Sequence, residues 1–380
     1  MFRTMFLLLL ILWAGKLFAV PSDCESCHKK VTPGIVRDFN RGRMADGLTC
    51  ADCHGDSHRS AEDAAKAQLP RMNTCRQCHG EQVDRFGLSS HNRALTDLSA
   101  TVNPHFAAPG QDFSDCAACH LQANSQSKSF GDHRFVCLTC HSRHAFSAAE
   151  AGQPETCQNC HDSGRHNVWE VWLSSPHGKL FLKDRYLNKE LQRRAPDCKT
   201  CHLPEADHRV RALRGNWFLV KDTGDKSWNE DQGLIRQLLG FAAADGRYTA
   251  AGKVLASLRA LDVPEKAFKL GGALTDRACN RCHSKTFLSR AQVKRDDGLR
   301  QADRLLADFV RRLMQRKNLK QAPQILNRNA DLQTRQVRAL FFDYRQPIYR
   351  AALHANFDLM RRLLDGMKTK IVALEEHQPE

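Results

Sequence analysis

The stretch Cys50-Ala-Asp-Cys-His54 is one of eight copies of a C-x-x-C-H motif, and these copies decide the fold. All sixteen cysteines of the chain lie in them as eight pairs: Cys24 with Cys27, Cys50 with Cys53, Cys75 with Cys78, Cys116 with Cys119, Cys137 with Cys140, Cys157 with Cys160, Cys198 with Cys201, and Cys279 with Cys282. A histidine follows every pair: His28, His54, His79, His120, His141, His161, His202 and His283. Chance would place a histidine after a given pair about one time in twenty, so eight in succession indicate a specific chemistry.

C-x-x-C-H is the attachment sequence of a c-type haem, in which both thiols bond to the porphyrin and the histidine binds the iron. A disulfide or zinc scaffold is the alternative. Zinc ribbons need two C-x-x-C pairs for each metal, and their chemistry does not require a histidine at this fixed offset. The motifs therefore predict eight covalently attached haems, with the eight histidines as proximal iron ligands.

The first nineteen residues have the pattern of an export signal. Arg3 precedes the apolar run 5–14, and Leu17-Phe-Ala19 offers a cleavage site after Ala19. The run is too short to span a bilayer, and no later segment has eighteen consecutive apolar residues. We expect a signal peptide over residues 1–19 and a periplasmic or otherwise exported protein that is soluble after cleavage. An uncleaved anchor is the alternative.

The formal net charge of +15 suggests a nucleic-acid or membrane partner until the cofactors are counted. Loss of the two basic residues of the leader lowers the charge to about +13, and eight haems bring sixteen propionates. The holoprotein would then carry about −3 with ferrous irons, or about +5 with ferric irons. Because much of the basic excess would neutralise propionates, we expect no nucleic acid among the partners.

Motif spacing predicts the core and the domains. Seven motifs fall within residues 24–202, which leaves roughly 25–30 residues per haem, too few to surround each porphyrin with a side-chain core. The porphyrins themselves would form that core, which agrees with an aromatic content of only 7%. We predict a mainly α fold with much irregular loop, a multihaem cytochrome c fold with a haem-stack core. A seven-haem domain would span residues 20–215, and a helical region carrying the eighth haem would span 216–380.

Helical patterns dominate the C-terminal part. Helices are predicted near residues 234–241 and 250–261, and apolar side chains recur at helical spacing after the last motif: Leu299, Ala302, Leu306, Phe309 and Leu313. The final segment opens with Pro347 and carries a heptad stripe: Leu353, Phe357, Met360, Leu364, Met367, Ile371 and Leu374. This stripe would pack on the body of its own chain, or form a seam between subunits of a homo-oligomer.

An iron that only carries electrons needs a second axial ligand opposite its proximal histidine. The candidate distal histidines are His58, His91, His105, His133, His144, His166, His177, His208 and His354. Four of them closely follow an attachment motif, namely His58, His144, His166 and His208. Since each of these four starts on the proximal side of its own haem, it would more easily reach a neighbouring iron. His377, in the polar tail, is expected to bind no iron.

A weak internal repeat adds a methionine to the candidates. Phe86-Gly-Leu-Ser-Ser-His91 and Trp172-Leu-Ser-Ser-Pro-His177 share an aromatic residue five positions before the histidine. Phe39-Asn-Arg-Gly-Arg-Met44 has the same frame with methionine in the histidine position. A thioether is a good sixth ligand that raises the potential of a haem. Met44 is therefore either a distal ligand or a packing residue.

The eight motifs, the two aromatic-Ser-Ser-His segments and the helical tail together resemble the octahaem cytochromes of the hydroxylamine oxidoreductase family. That resemblance implies seven bis-histidine haems and a catalytic haem with an open face at the fourth motif, here attached by Cys116 and Cys119 with His120. It also implies an Asp-His pair over the open face. Asp132-His133 is the candidate by order, with His133 as an ordinary sixth ligand the alternative, and Asp207-His208 is a second such pair.

Three features depart from the family. The chain is short for the oxidising members, which also cross-link a C-terminal tyrosine to the catalytic haem. Tyr344 and Tyr349 lie in the corresponding region, but no motif selects one of them. There is no C-x-x-C-K variant, so a lysine-ligated site is unsupported.

Two functions follow from this pattern. In the first, closely packed haems pass electrons between redox partner proteins, such as a quinol-side donor and other cytochromes. In the second, one open haem oxidises hydroxylamine, or reduces nitrite or hydroxylamine, while the other haems act as wire and reservoir. In that enzyme His133 or His208 would move protons, oriented by Asp132 or Asp207. The full supply of ligands and the short chain favour the first function.

Overall fold

The computed structural model describes residues 23–89, 91–92, 136–162, 168–187, 195–210, 224–257, 276–326 and 331–376. Over these residues the chain is mainly helical and forms no strand, and the predicted fold class is confirmed. The predicted signal peptide and the predicted boundary at residue 215 lie outside these ranges and remain predictions. No helix in the described ranges is both long enough and apolar enough to cross a membrane.

Most helices in the first half of the chain are short. They are α1 (Asp23–Val31), α2 (Pro33–Arg41), α3 (Cys50–His54), α4 (Met72–Gly87), α5 (Ala148–Ala151), α6 (Pro154–His161), α7 (Val168–Leu173), α8 (Pro176–Leu187) and α9 (Cys198–His202). The later helices are α10 (Lys226–Leu238), α11 (Ala250–Ser257), α12 (Lys285–Arg316), α13 (Leu332–Ala339), α14 (Gln346–Leu353) and α15 (Phe357–Glu376), with a π-helical segment at Leu340–Arg345.

The chain divides into two compact units. In the described ranges, unit 1 comprises residues 23–78 and 136–151, and unit 2 comprises 79–92 and the described residues from 152 onward. Unit 1 has almost no side-chain core, since the only hydrophobic side chains that its described residues fully bury are Val36, Met72 and Val136. This agrees with the expectation that porphyrins supply the core around the early motifs.

Unit 2 has a conventional helical core around α12. The predicted stripe of this helix is confirmed, because Leu299, Ala302, Leu306, Phe309 and Leu313 are almost completely buried. Ser284 caps the helix, and its hydroxyl accepts a hydrogen bond from the backbone N–H of Phe287 at 3.2 Å. Helices α10, α14 and α15 pack against α12.

The heptad stripe of the last helix is used within the chain. Met360, Leu364, Met367 and Ile371 are buried in the same cluster as the stripe of α12. Leu353 stays 37% exposed. The intramolecular alternative therefore accounts for most of the stripe, and a homo-oligomer through this helix remains a prediction.

One predicted helix starts earlier than its apolar spacing indicated. The helix expected near residues 234–241 begins at Lys226, where the side chain of Asp225 accepts a hydrogen bond from the N–H of Trp228. Its first half is polar, and Asp231 is buried there through ion pairs with Arg304 and Arg311. Because charge pairing buries this half, its apolar pattern could not reveal the true start.

Candidate haem-iron ligand pairs

The attachment motifs form local helical turns. In α3 the segment Cys50–His54 places the two cysteines three positions apart and the histidine four positions after the first cysteine. Residues at these spacings share one face of a helix, so both thiols and the imidazole point the same way. Motifs in α1, α6 and α9 have the same arrangement. In α4 the helix kinks at His79 of the third motif, and the fifth motif forms a 3-10 turn at Cys137–Thr139. The fourth motif, with Cys116, Cys119 and His120, lies outside the described residues.

The second thiols that the structure describes are exposed or half-buried. No disulfide joins any of the cysteines that the structure describes. Four second cysteines are exposed on the protein surface: Cys27, Cys78, Cys140 and Cys282. Three others are half-buried: Cys53, Cys160 and Cys201. The physical reason is that few side chains surround the motifs, so a haem bonded to these thiols, rather than the polypeptide, would have to cover them.

In unit 1 two of the motif histidines face a second histidine. The rings of His28 and His58 have centroids 6.0 Å apart. The rings of His54 and His144 have centroids 6.2 Å apart. Each of the two added histidines follows a motif other than the one whose histidine it faces.

In unit 2 three more motif histidines have the same kind of partner. The ring of His161 lies 5.9 Å from that of His91, and the ring of His283 lies 5.9 Å from that of His177. The rings of His202 and His354 are 6.5 Å apart.

This spacing fits an iron between the rings. Metal–imidazole bonds are about 2.0–2.1 Å long, so two rings on opposite sides of one metal have centroids about 6 Å apart. Directly stacked rings would lie closer, as His283 and Phe287 do at 4.4 Å. The donor set is therefore right for haem, with two attachment thiols, a proximal imidazole and a distal imidazole at each of the five sites.

Hydrogen bonds at Nδ1 leave Nε2 to the iron. Nδ1 of His28 lies 2.7 Å from Oγ1 of Thr32, and Nδ1 of His54 lies 2.8 Å from the carbonyl of Gln68. Metal-binding histidines commonly hold their second ring nitrogen in this way, which fixes the orientation of the ring.

Two distal candidates are held in the same manner. Nδ1 of His58 lies 2.9 Å from the Asp63 carboxylate, and Nδ1 of His354 lies 2.9 Å from the carbonyl of Arg350. Asp63, Gln68 and Arg350 were not predicted from the sequence. Of these three residues, only Asp63 could have been found from the sequence, as an acidic residue five positions after His58.

Burial keeps several of these imidazoles neutral, which is the form that binds iron. Burial, with smaller effects of nearby histidines, lowers the pKa of His91 to about 4. Burial likewise lowers the pKa of His354 to about 4. The pKa values of His144, His161 and His177 are also lowered, in each case mainly by burial.

Comparison with known proteins agrees with this donor arrangement. The family described as "Seven times multi-haem cytochrome CxxCH" matches residues 22–212. The chain belongs to the multihaem cytochrome c family. The expected resemblance is thus confirmed at this level, and the family implies covalently bound haem c.

The chain also resembles one curated protein and one solved structure. A curated protein of Kuenenia stuttgartiensis, described as a probable nitrite reductase-hydroxylamine oxidoreductase fusion protein, is 28% identical over 234 aligned residues. The match covers 48% of this chain but only 26% of that relative, so the chain spans about a quarter of its length. A solved structure described as a hypothetical multiheme protein has the same fold, with a TM-score of 0.54 and 17% identity over 94% of this chain and 96% of that one.

Contacts between attachment thiols show which motifs of this cytochrome are neighbours. In unit 1 the thiols of Cys75 and Cys137, from the third and fifth motifs, are in hydrogen-bonding contact, and Cys53 of the second motif lies near Cys75 and Cys78. The second, third and fifth motifs are therefore neighbours in unit 1.

Unit 2 has a similar run of neighbouring motifs. The thiols of Cys157 and Cys198, from the sixth and seventh motifs, are in contact. Cys201 of the seventh motif lies near Cys279 and Cys282 of the eighth.

The other predicted site residues are not members of the five pairs. His208 follows the 3-10 turn Pro204–Ala206, and its Nδ1 lies 2.8 Å from the carbonyl of Ala206. The adjacent Asp207 carboxylate accepts two hydrogen bonds from Nε and one from Nη2 of Arg209. Met44 is half-buried in a 3-10 turn. His105, Asp132, His133 and His166 lie outside the described residues.

The C-terminal tyrosines are placed in the helical core. Tyr349 is almost completely buried, and its hydroxyl donates a hydrogen bond to Asp303 at 2.5 Å. Tyr344 packs beside Gly366, where an added Cβ would come within 3.1 Å of its ring. Tyr349 thus has a structural partner in the helical core of unit 2.

Proposed function

We propose that the chain is an exported octahaem cytochrome c that transfers electrons through closely packed haems. The observation that carries this proposal is the set of five histidine pairs with ring centroids 5.9–6.5 Å apart. A haem iron with an imidazole on each side has no open coordination position. Such a haem exchanges electrons without binding a substrate.

The proposed ligation links each of five motifs to a segment that follows a different motif. Numbering the haems by motif order, the distal ligands are His58 for haem 1, His144 for haem 2, His91 for haem 6, His354 for haem 7 and His177 for haem 8. Each distal histidine comes from a segment after a different motif. Loss of one haem would therefore disturb the segment that ligates another, which favours assembly of the haems as a group.

The contacts between neighbouring motifs support one run of haems in each unit. Haems 2, 3 and 5 would follow one another in unit 1, and haems 6, 7 and 8 in unit 2. Burial and then His202 lower the pKa of His161, and burial, His161 and then His202 lower the pKa of His91, so these three imidazoles lie near one another in unit 2.

The expected partners are redox proteins rather than nucleic acid. The positive formal charge of +15 belongs to the chain without its cofactors, and the propionates of eight haems would offset most of it. The apolar run at the start of the sequence supports export, since it has the pattern of a signal peptide. A quinol-side donor or another cytochrome would exchange electrons with the haems nearest the surface.

A second candidate function is reduction or oxidation of a small nitrogen compound at one open haem. The observation that favours it is the similarity to the Kuenenia fusion protein, whose description names both nitrite reductase and hydroxylamine oxidoreductase. The resemblance to the hydroxylamine oxidoreductase family implies that the open iron would be the one held by Cys116, Cys119 and His120.

Electron paramagnetic resonance of the oxidised holoprotein separates the two functions. We expect only low-spin signals that do not change when cyanide, nitrite or hydroxylamine is added. A high-spin signal of about one haem per chain that converts on addition of these ligands would support the enzyme instead. Haem content, measured by the pyridine haemochrome, is expected to be eight per chain.

A variant tests the ligand pairs directly. We expect His177→Gly to give one haem that becomes high-spin and returns to low-spin with added imidazole, because the small ligand can occupy the vacated position. His377→Ala, which removes a histidine assigned to no iron, is the matched control. An unchanged spectrum of His177→Gly would contradict the pairing of His177 with His283.

A further inference from the structure

Haem 8 lies at one end of the contacts between motifs in unit 2. Thiols of the sixth and seventh motifs meet, and Cys201 of the seventh motif lies near Cys279 and Cys282 of the eighth. The iron of haem 8 is assigned to the pair of His177 and His283, whose ring centroids are 5.9 Å apart. Electrons can enter or leave such a run at its end, so the surroundings of this pair indicate what kind of partner could dock there.

On the proximal side of haem 8, the first turns of α12 lie on the protein surface. This helix begins at Lys285, just after the eighth motif, and the first residue that it buries completely is Gly298. Residues 279–295 contain five basic residues and no acidic residue. The exposed side chains of Lys285, Arg290 and Lys294 form no ion pair with any residue that the structure describes. This part of the surface therefore carries positive charge.

An exposed aromatic ring joins this basic surface to the proximal imidazole. Phe287 stacks on His283, with ring centroids 4.4 Å apart and an angle of 12° between the planes, yet its side chain is 52% exposed. Arg290 and Lys294 lie three and seven positions after Phe287, on the same face of α12. Iron binds at the edge of an imidazole, whereas Phe287 covers a ring face, so both can contact His283 at once. Phe287 thus offers a short path between the surface and the iron.

The distal ligand of haem 8 also begins a basic helix. His177 is the second residue of α8, and residues 176–183 contain two lysines and no acidic residue. Lys179 and Lys183 are exposed and form no ion pair within the described part of the chain. Tyr186, which lies on the same face of α8, is 73% exposed. Among the described residues, Tyr186 and Phe287 are the only exposed aromatic side chains.

The charges and rings around haem 8 define the chemistry of a partner. We name as the haem 8 surface the exposed basic and aromatic side chains of the two helices: Lys179, Lys183, Tyr186, Lys285, Phe287, Arg290 and Lys294. Its positive charge attracts an acidic surface, and aromatic and arginine side chains are enriched in the cores of protein interfaces. A second copy of this chain would present the same positive charges and be repelled. The ring in contact with the proximal imidazole favours a redox protein over a lipid surface, which needs no electron path.

We propose that the haem 8 surface is the docking site of an acidic electron-carrier protein. This inference rests on the proposed function, because it names the haem at which a redox partner exchanges electrons and the charge of that partner. One electron leaves the reduced carrier and converts ferric haem 8 to the ferrous form, and the reverse step returns it. No bond forms or breaks in this exchange, so the protein has only to hold the two redox centres close together.

The test measures electron transfer from reduced plant-type ferredoxin, an acidic carrier of low potential, to the oxidised holoprotein by stopped-flow absorption. At an ionic strength of about 0.1 M, the double variant Arg290→Glu with Lys294→Glu should lower the second-order rate constant about tenfold, because repulsion replaces attraction beside Phe287. A second double variant, Arg290→Gln with Lys294→Gln, removes the charges without reversing them and should give an intermediate rate constant.

The opposite end of α12 provides a matched control. Lys317→Glu with Lys320→Glu makes the same change of net charge at two exposed lysines that form no ion pair within the described residues. These lysines lie about 40 Å from Arg290, at 1.5 Å of helix per residue. The screening length at this ionic strength is about 10 Å, so the rate constant of the control should stay within about twofold of the wild type.

Four results would overturn the proposal. The first is the same rate constant for the wild type and the Arg290 and Lys294 variants, and the second is no reduction of the wild type by ferredoxin. The third is a haem content of seven in these variants, which would show that the two side chains hold a propionate of haem 8. The fourth is an unchanged rate constant together with loss of binding to phosphatidylserine vesicles or loss of self-association, which would assign the surface to a membrane or to a second copy.

Failure of this inference can be distinguished from failure of the proposed function. Dithionite is a small reductant that needs no docking surface, and it should reduce all haems of the wild type and of every variant. If dithionite does so while the ferredoxin rate constants are equal, only the docking site is wrong. A wild-type haem content below eight, or a high-spin iron that binds added cyanide, would instead contradict the proposed function.

Discussion

Replacement of Asp303 by asparagine should strongly destabilise unit 2. Asp303 is completely buried and forms an ion pair with the equally buried Arg345, with Nε and Oδ1 2.7 Å apart. Its other carboxylate oxygen accepts hydrogen bonds from Nε1 of Trp228 at 2.8 Å and from the hydroxyl of Tyr349 at 2.5 Å. Burial, followed by the charge of Asp303, raises the pKa of Tyr349, so the phenol remains a donor at neutral pH.

The size of the effect follows from the charge left behind. Removal of one partner from a buried ion pair costs about 3–5 kcal/mol, because the other charge stays buried without compensation. Asparagine nearly preserves the volume, so no cavity cost is added, and its amide oxygen can still accept from one donor. We therefore expect a loss near the lower end, about 3 kcal/mol in the free energy of unfolding.

Denaturant unfolding of the holoprotein, followed by far-ultraviolet circular dichroism, measures this loss. Asp308→Asn on the same helix is the matched control, because Asp308 and its partner Arg311 are both about 40% exposed. An exposed pair contributes about 0–1 kcal/mol. Equal unfolding midpoints for the two variants would refute the reasoning, since they would mean that the buried carboxylate compensates no charge.

Three further predictions concern the haems. Asp63→Asn should raise the reduction potential of haem 1, because the Asp63 carboxylate makes the hydrogen-bonded His58 a stronger electron donor. Asp56→Asn, in the same loop, should leave that potential unchanged, and a redox titration measures both variants. Arg350→Met should lower the reduction potentials of haems 6 and 7 in the same titration, because a cation near both sites favours the ferrous form. Arg350→Lys, which keeps the charge, and Arg361→Met should leave these potentials unchanged. Electron paramagnetic resonance should show two classes of low-spin haem, because two histidine pairs have interplanar angles of 68° and 75° and the other three have angles of 36–44°.

The sequence predicted those parts of the molecule whose chemistry is local. A C-x-x-C-H motif contains both thiols and the proximal imidazole within five residues, so its attachment role needs no knowledge of the fold. The apolar stripes of α12 and α15 were equally readable, because a helix places residues three and four apart on one face. The start of α10 could not be predicted in this way, because Asp231 in its first half is buried by ion pairs with arginines far along the chain.

The distal ligands required the folded chain. The segments after the second and fifth motifs provide the partners of His28 and His54, so each distal histidine faces a haem other than the nearest in sequence. His354 is brought to His202 across much of the sequence by the packing of α14, and Asn356 fixes the turn that follows by donating to the carbonyl of Val171 at 2.9 Å. The sequence could therefore identify the candidate distal histidines but not which proximal histidine each of them faces.

A bis-histidine haem is specified by two residues that need not lie near each other in the sequence, and its potential depends on both of them. The attachment motifs are the same from haem to haem. Differences between the haems must therefore arise at the distal positions and in the hydrogen bonds that hold the distal imidazoles.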